Sequence, residues 1–285
     1  MYTVYEPKFY SFNGDYFTYA KLAADAGIEA IGVPSALLDQ ENRALELARL
    51  VWELGLRWGI MFTPVDFYAA DVDDTLFERG IETLKRQAQT AAKMGVRYAY
   101  NHIWSSNPER SFERNFDWHV RRIRRVGRIF EDNGIRYGLE FLGPRDVLHR
   151  YEHPFVHSIA GVCALADAAE LKAAFLFDTY HWYCEGARLD DLYFALAHTD
   201  RMVGLHVNDA AAGRKPEEQL DMERAMPMTT GLIDAGKIYQ LFGSHGYEGP
   251  AACEPLHPSM EHFQEIGAQA TAQEIARAYQ MLASR

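Results

Sequence analysis

The chain has 285 residues, 48% of them hydrophobic, with 29 Lys and Arg set against 40 Asp and Glu for a formal charge of −11. That balance excludes a disordered chain, a collagen-like repeat and a disulfide-stapled miniprotein. It also argues against nucleic acid as a partner, since grip on a phosphate backbone rests on clustered positive charge, and leaves a small neutral or polar molecule as the expected ligand.

A first strand is predicted near Thr3–Glu6. Asp15–Ala26 carries a helical pattern that stops at Gly27, and Ile28–Val33 follows as a strand. The order then repeats: helix Asn42–Leu54, stop at Gly55, strand Leu56–Phe62; helix Leu76–Met94, stop at Gly95, strand Val96–Ile103; helix Arg114–Asn133, stop at Gly134, strand Ile135–Phe141. Glycine suits the left-handed residue that ends a helix. The second half keeps the alternation, with helices Ser158–Glu170, Leu189–His198, Asp234–Phe242 and Ala268–Ala283 and strands Lys172–Asp178, Met202–Val207 and Gly249–Glu254. Eight strands at about 36 residues per unit fit an α/β chain folded as a (β/α)8 barrel. No Pro- or Ser-rich linker interrupts it, so residues 1–285 are expected to form a single barrel domain. The rival, a doubly wound open sheet, would call for a Gly-x-Gly-x-x-Gly phosphate turn, which is absent.

The cysteines Cys163, Cys184 and Cys253 are odd in number, far apart and without a Cys-x-x-Cys pair, so neither a disulfide framework nor a thiolate zinc site is expected. Met1–Tyr10 contains Glu6, Pro7 and Lys8 and lacks the apolar run of a signal peptide. No stretch approaches the roughly 20 apolar residues needed to cross a bilayer. A cytoplasmic protein with no membrane partner is expected, and a homo-oligomer is left open.

In a barrel of this kind, active groups sit where the strands run out at the C-terminal face. Four polar residues do so on consecutive strands: Glu140, Asp178, His206 and Glu254, each closing an otherwise apolar run. Independent helix caps would not choose the same level four times. Three acids and one imidazole among apolar neighbours call for a cation, and an oxygen-rich set with one imidazole suits Mn²⁺, Co²⁺ or Mg²⁺, with Zn²⁺ also compatible. Cys253, adjacent to Glu254 on the strand, points to the opposite face, into the core.

The segments Gly138-Leu-Glu140-Phe141, Phe177-Asp178-Thr-Tyr-His181, His206-Val-Asn208-Asp209 and Glu254-Pro255 resemble the signatures of the xylose-isomerase-like TIM-barrel superfamily, which contains ketose 3-epimerases and inosose isomerases. The resemblance implies a metal held by Glu140, Asp178, His206 and Glu254, with Glu140 and Glu254 also exchanging a substrate proton. It implies that His181, three residues beyond Asp178, contacts a substrate oxygen. Arg224, in a long loop after the seventh strand, resembles the family's arginine before a Pro-Gly pair, but here Met228 follows Pro227. His102 and Trp104, ending the fourth strand, are candidates for lining the substrate pocket. Glu6 and Lys8 are candidates to project inward from the first strand, and Phe141, Tyr180 and Trp182 to add aromatic walls. Arg121, Arg124, Arg125 and Arg128 share one helical stripe, expected to be a solvated or ion-paired outer face.

The activity implied is that of a divalent-metal-dependent isomerase or epimerase on a keto-sugar or inosose, removing a proton next to a carbonyl through an enediolate. The alternative is a metal-dependent lyase, inosose dehydratase-like or keto-glycoside-cleaving, that begins from the same enolate. The altered Pro227 loop keeps that alternative open.

Overall fold

The computed structural model describes residues 1–65, 67 and 73–284. Its strands are β1 (Tyr2–Tyr5), β2 (Ala30–Ile31), β3 in two halves (Arg57–Trp58 and Ile60–Phe62), β4 (Tyr98–Ile103), β5 (Arg136–Phe141), β6 (Phe175–Asp178), β7 (Met202–Val207) and β8 (Pro250–Cys253). Neighbours pair in parallel. The spatial order runs from the first half of β3 through β2, β1, β8, β7, β6, β5 and β4 to the second half of β3. Its two ends are one stave divided at Gly59, so the sheet closes on itself as a TIM barrel. The continuous strand expected over Leu56–Phe62 is divided there because its first half pairs with β2 and its second with β4, and the glycine is needed at the junction, where a Cβ would lie 2.7 Å from Val4 Cγ1. The Gly59 N–H still reaches Ile31 O at 2.8 Å, tying the break to β2.

The larger helices are α1 (Tyr16–Asp25), α2 (Glu41–Glu53), α3 (Asp74–Met94), α4 (Phe112–Asp132), α5 (Ile159–Ala168), α6 (Leu189–Ala197), α7 (Ala235–Ser244) and α8 (Ser259–Ala283). Gly27, Gly55, Gly95 and Gly134, the predicted stops, all have positive φ, at 75°, 70°, 89° and 69°. At the opposite ends, Asp15, Asp73, Ser158 and Asp234 accept hydrogen bonds from backbone N–H groups that open α1, α3, α5 and α7. Helix α8 starts earlier than the expected Ala268 and is kinked at Gly267. Three arginines of the stripe on α4 are ion-paired: Arg125 meets Glu78 at 2.5 Å, and Arg124 and Arg128 meet Glu170 at 3.2 and 3.9 Å.

Side chains alternate along each strand, so every second residue points into the barrel. Two small clusters fill the interior, one of Ile60, Tyr100, Ala173, Leu176 and Val203 and one of Tyr2, Val4, Ala30 and Ala252. A continuous outer core between staves and helices takes the opposite faces. Interior packing also explains Gly204 on β7, where a Cβ would stand 2.2 Å from Ile60 Cδ1.

Among the unassigned histidines, His119 on α4 has a clear place. It is buried, stacked between Phe67 and Phe155 with centroids at 5.8 and 4.8 Å. Its Nδ1 donates to Asn115 O at 2.8 Å, while Nε2 is buried without a hydrogen-bond partner among the described residues. Protonating Nε2 would place a charge in an apolar stack, and burial accordingly pushes the ring down to about 3. Because the unfolded ring takes up a proton near its ordinary pKa of about 6.5 and the folded one does not, stability is complete above that value. It is lost as pH falls toward about 3, by roughly 5 kcal/mol in all. Urea unfolding over a pH series should show this slope in the wild type and a flatter one in His119→Phe; identical slopes would contradict the assignment.

Candidate active site

The site is the layer one step above the hydrophobic filling of the barrel. Two residues beyond the interior positions Gly138, Leu176, Gly204 and Ala252 come Glu140, Asp178, His206 and Glu254, which therefore share their inward face. The same step from Val4 and Tyr100 leads to Glu6 and His102. The register seats them side by side, with His102 opposite Glu140 and His206 opposite Asp178.

The four sequence candidates come together. Each offers a ligand atom, these atoms all lie within 4.8 Å of one another, and all four residues are buried. His206 Nδ1 stands 3.1 Å from Glu140 Oε1, 3.1 Å from Glu254 Oε2 and 3.8 Å from Asp178 Oδ2. Among the described residues, His206 Nδ1 and both Glu140 carboxylate oxygens nonetheless have no partner in hydrogen-bond geometry. Buried polar atoms without partners are costly, by about 1–3 kcal/mol each and more when charged. Three carboxylates and one imidazole nitrogen aimed at a common point are the donor set of a hard or borderline divalent cation, so the residues present fit a metal.

Asp178 is held from below and from the side. Its Oδ1 accepts from Tyr180 N at 2.6 Å, which caps the short helix Thr179–Cys184, and Asn208 Nδ2 donates to Oδ1 and Oδ2 at 3.2 and 3.3 Å. Asn208 Oδ1 in turn accepts from Glu254 N at 3.1 Å, so one amide fixes two of the four staves. Sequence reasoning saw Asn208 only as part of a motif. Asn208 stands two residues past His206, just beyond the end of β7, and its bridging role becomes visible only once β6 and β8 lie on either side of β7.

Arg224 is not in an open loop, as the sequence suggested. It occupies the middle strand of a three-stranded cap sheet, Glu223–Ala225, between Asp209–Ala210 and His257–Pro258. These pairings join residues far apart in sequence, which local periodicity cannot reveal. From there its Nη1 reaches Glu254 Oε2 at 2.6 Å and Asp178 Oδ2 at 3.0 Å. Met228, standing where a Gly was expected after Pro227, has a φ of 68°, so the chain keeps a left-handed turn without glycine.

His181 lies beside this arginine, with Nε2 3.3 Å from Arg224 Nη2 and 3.9 Å from Asp178 Oδ2. Gly143 N–H donates to its Nδ1 at 3.3 Å. Burial, and then Arg224, bring His181 down to about 4, so it is neutral at pH 7. His102 Nε2 is 3.0 Å from Glu140 Oε2. Burial disfavours its charge, but Glu140 outweighs burial and raises its pKa. His102 and Trp104 line a cavity of about 270 Å³ with Phe62, Thr63, Pro64, Val65, Phe67 and Asn101. Phe62 and Phe67 supply the aromatic wall expected of Tyr180 and Trp182. Those two are turned elsewhere: Tyr180 OH donates to Leu220 O and Glu223 O under the cap sheet, and Trp182 Nε1 donates to Arg188 O.

Burial alone would raise both glutamates. In Glu140, His206 and then His102 override it and hold the carboxyl well below the ordinary range. In Glu254, His206 and Arg224 do the same. Asp178 goes the other way, raised by burial despite Arg224. Glu6 is a further buried carboxyl, pushed up to about 7 by burial against the pull of Lys8 and His206. A Cβ on Gly32 would lie 2.2 Å from its Oε2, so the glycine at the top of β2 makes the room that Glu6 fills. Lys8 stands 5.8 Å over the ring of Phe62, at the rim.

Among the described residues no helix is long and apolar enough to cross a membrane. No curated protein matches the chain. Solved structures do match over nearly its whole length. A xylose isomerase domain protein from Alicyclobacillus acidocaldarius is 25% identical with a TM-score of 0.80, covering 98% of this chain and 96% of its own. An IOLI protein with a bound zinc atom is 16% identical with a TM-score of 0.81, covering 100% and 98%. A D-psicose 3-epimerase from Clostridium cellulolyticum, solved with D-tagatose, is 14% identical with a TM-score of 0.71, covering 99% and 96%. These show the shared fold. The sequence itself matches the xylose isomerase-like TIM barrel family over residues 20–283, and with its closed barrel this chain belongs to that family.

Proposed function

We propose that the protein is a divalent-metal-dependent isomerase or epimerase that acts on a keto-sugar or an inosose by proton abstraction next to a carbonyl, through an enediolate. The observation that carries this reading is the convergence of Glu140, Asp178, His206 and Glu254 on one buried point. Glu140, Asp178, His206 and Glu254 would hold the ion. Mn²⁺ is the first choice and Co²⁺, Mg²⁺ and Zn²⁺ also suit the donors. When bound, it supplies a Lewis acid that polarises the carbonyl and the neighbouring hydroxyl and so acidifies the C–H between them.

The protein's own groups do the rest. One of Glu140 and Glu254 takes the proton, and the other delivers one to the opposite face, which inverts the carbon; return by the same glutamate to the adjacent carbon isomerises instead. His181 and Arg224, both at the rim of the cluster, hold substrate oxygens. His102 steadies Glu140 and lines the neighbouring cavity with Trp104, where the aromatic rings suit the apolar face of a sugar or cyclitol. Two of the structural relatives, the zinc-containing IOLI protein and the D-psicose 3-epimerase, support the reading.

A second reading, elimination from the same enolate, is favoured by Glu6. Isomerisation needs no third acid, whereas expulsion of a hydroxyl or glycosyl group needs a proton donor, and a carboxyl at about 7 can be one. Incubation of the Mn²⁺-loaded protein with ketoses, inososes and keto-glycosides in deuterated water separates the two. Isomerisation or epimerisation puts deuterium beside the carbonyl without loss of a group, while elimination yields an unsaturated product. Neither exchange nor product with any of them would contradict both.

A further inference from the structure

We infer that Arg224 is a permanent internal counter-charge that sets how tightly the carboxylate cluster holds its cation. The inference rests on the metal-dependent reading above. Arg224 is buried, 4% exposed, and its guanidinium keeps its charge at any working pH. Its position is fixed on both sides. The backbone lies between Ala210 and Pro258 in the cap sheet, and the outer part of the guanidinium donates to Asp221, through Nε to the carbonyl at 3.1 Å and through Nη2 to Oδ1 at 3.2 Å. The inner nitrogen, Nη1, is the one on Asp178 and Glu254.

Three carboxylates and a neutral imidazole carry a charge of −3, and a divalent cation would leave −1. Arg224 balances that remainder within hydrogen-bond reach of two of the carboxylates, where burial makes imbalance costly. The same proximity makes it a like-charged neighbour of the cation, so it weakens binding by Coulomb repulsion. At Asp178 it does so without being the scaffold. Asp178 is oriented by Tyr180 N and by Asn208, and the backbone of Glu254 is held by Asn208. At Asp178, removing Arg224 therefore removes charge more than order; at Glu254, whose carboxylate accepts from Nη1, Arg224→Lys, which keeps the charge, separates the two effects. A cation held by partly neutralised carboxylates stays electron-poor, which is what polarising a carbonyl requires.

The test is the affinity for Mn²⁺ alone, measured by calorimetry on the full chain with no substrate present. Arg224→Gln should bind Mn²⁺ at least tenfold more tightly than the wild type, about 1.4 kcal/mol, and Arg224→Lys, which keeps the charge, should stay near the wild type. Asp221→Asn leaves Arg224 in place but strips its outer carboxylate, and should weaken Mn²⁺ binding by about threefold or more. This second variant carries the test if Arg224→Gln does not fold. A folded Arg224→Gln with equal or weaker affinity, or an Asp221→Asn with unchanged or tighter affinity, would overturn the inference while leaving the metal reading intact. A wild-type chain that takes up no divalent cation would overturn both.

Discussion

Glu140→Gln should lower turnover by roughly 10²–10⁴-fold, the range in which positioned acids and bases contribute, while Glu254 continues to exchange protons with one epimer of the substrate. Glu140 lies in β5, its carboxylate between His102 and His206 and buried to 1%. The amide keeps the size and loses both the charge and the ability to take a proton. If the two glutamates work on opposite faces of one carbon, the variant interconverts the epimers only at that residual rate but still washes deuterium into the epimer whose proton faces Glu254. Glu254→Gln should show the mirror behaviour with the other epimer. Turnover and single-epimer exchange by NMR, both at saturating Mn²⁺, check this. Equal loss of exchange from both epimers in both variants would remove the two-base mechanism.

The second large effect is on metal content. His206→Ala should reduce affinity for the divalent ion by a factor of roughly 10² or more, beyond the 10–100-fold typical of losing an outer partner. His206 Nδ1 faces all three carboxylates, and among the described residues it is the one histidine grouped with them. Asp178→Asn should weaken binding for a different reason. Its amide oxygen can still cap Tyr180 N, so the short helix survives, but one charge is gone. His181→Ala should leave metal content unchanged and lower turnover, since its nitrogen sits 3.9 Å from Asp178 and beside Arg224. Elemental analysis of the purified variants reads all three.

Much of this was legible before any coordinates, for physical reasons. Interior and exterior residues alternate along each stave, so a carboxylate ending an apolar run announces a polar layer, and Glu140, Asp178, His206 and Glu254 could be read directly. Helix ends were legible because Gly27, Gly55, Gly95 and Gly134 need a left-handed backbone. What escaped was long-range or too short to carry a period. The cap sheet pairs Arg224 with Ala210 and Pro258 across long stretches of chain, so the arginine's approach to Asp178 and Glu254 was hidden. The two-residue half of β3 has no alternation to detect, and its division at Gly59 follows from pairing with β2 on one side and β4 on the other. Tyr180 and Trp182 were misplaced as walls because their hydroxyl and indole N–H each find a backbone carbonyl away from the cluster. Glu6 looked like one of several polar residues near the first strand; only Gly32, across the β1–β2 pair, shows that space is kept for it.

The central claim is that three acids and one histidine share a single divalent ion. Crystals grown with Mn²⁺ and measured at its absorption edge test it most directly. The account predicts one strong anomalous peak at the top of the barrel, bounded by Glu140, Asp178, His206 and Glu254. A map with no peak there, or with the ion bound elsewhere on the protein, would contradict it.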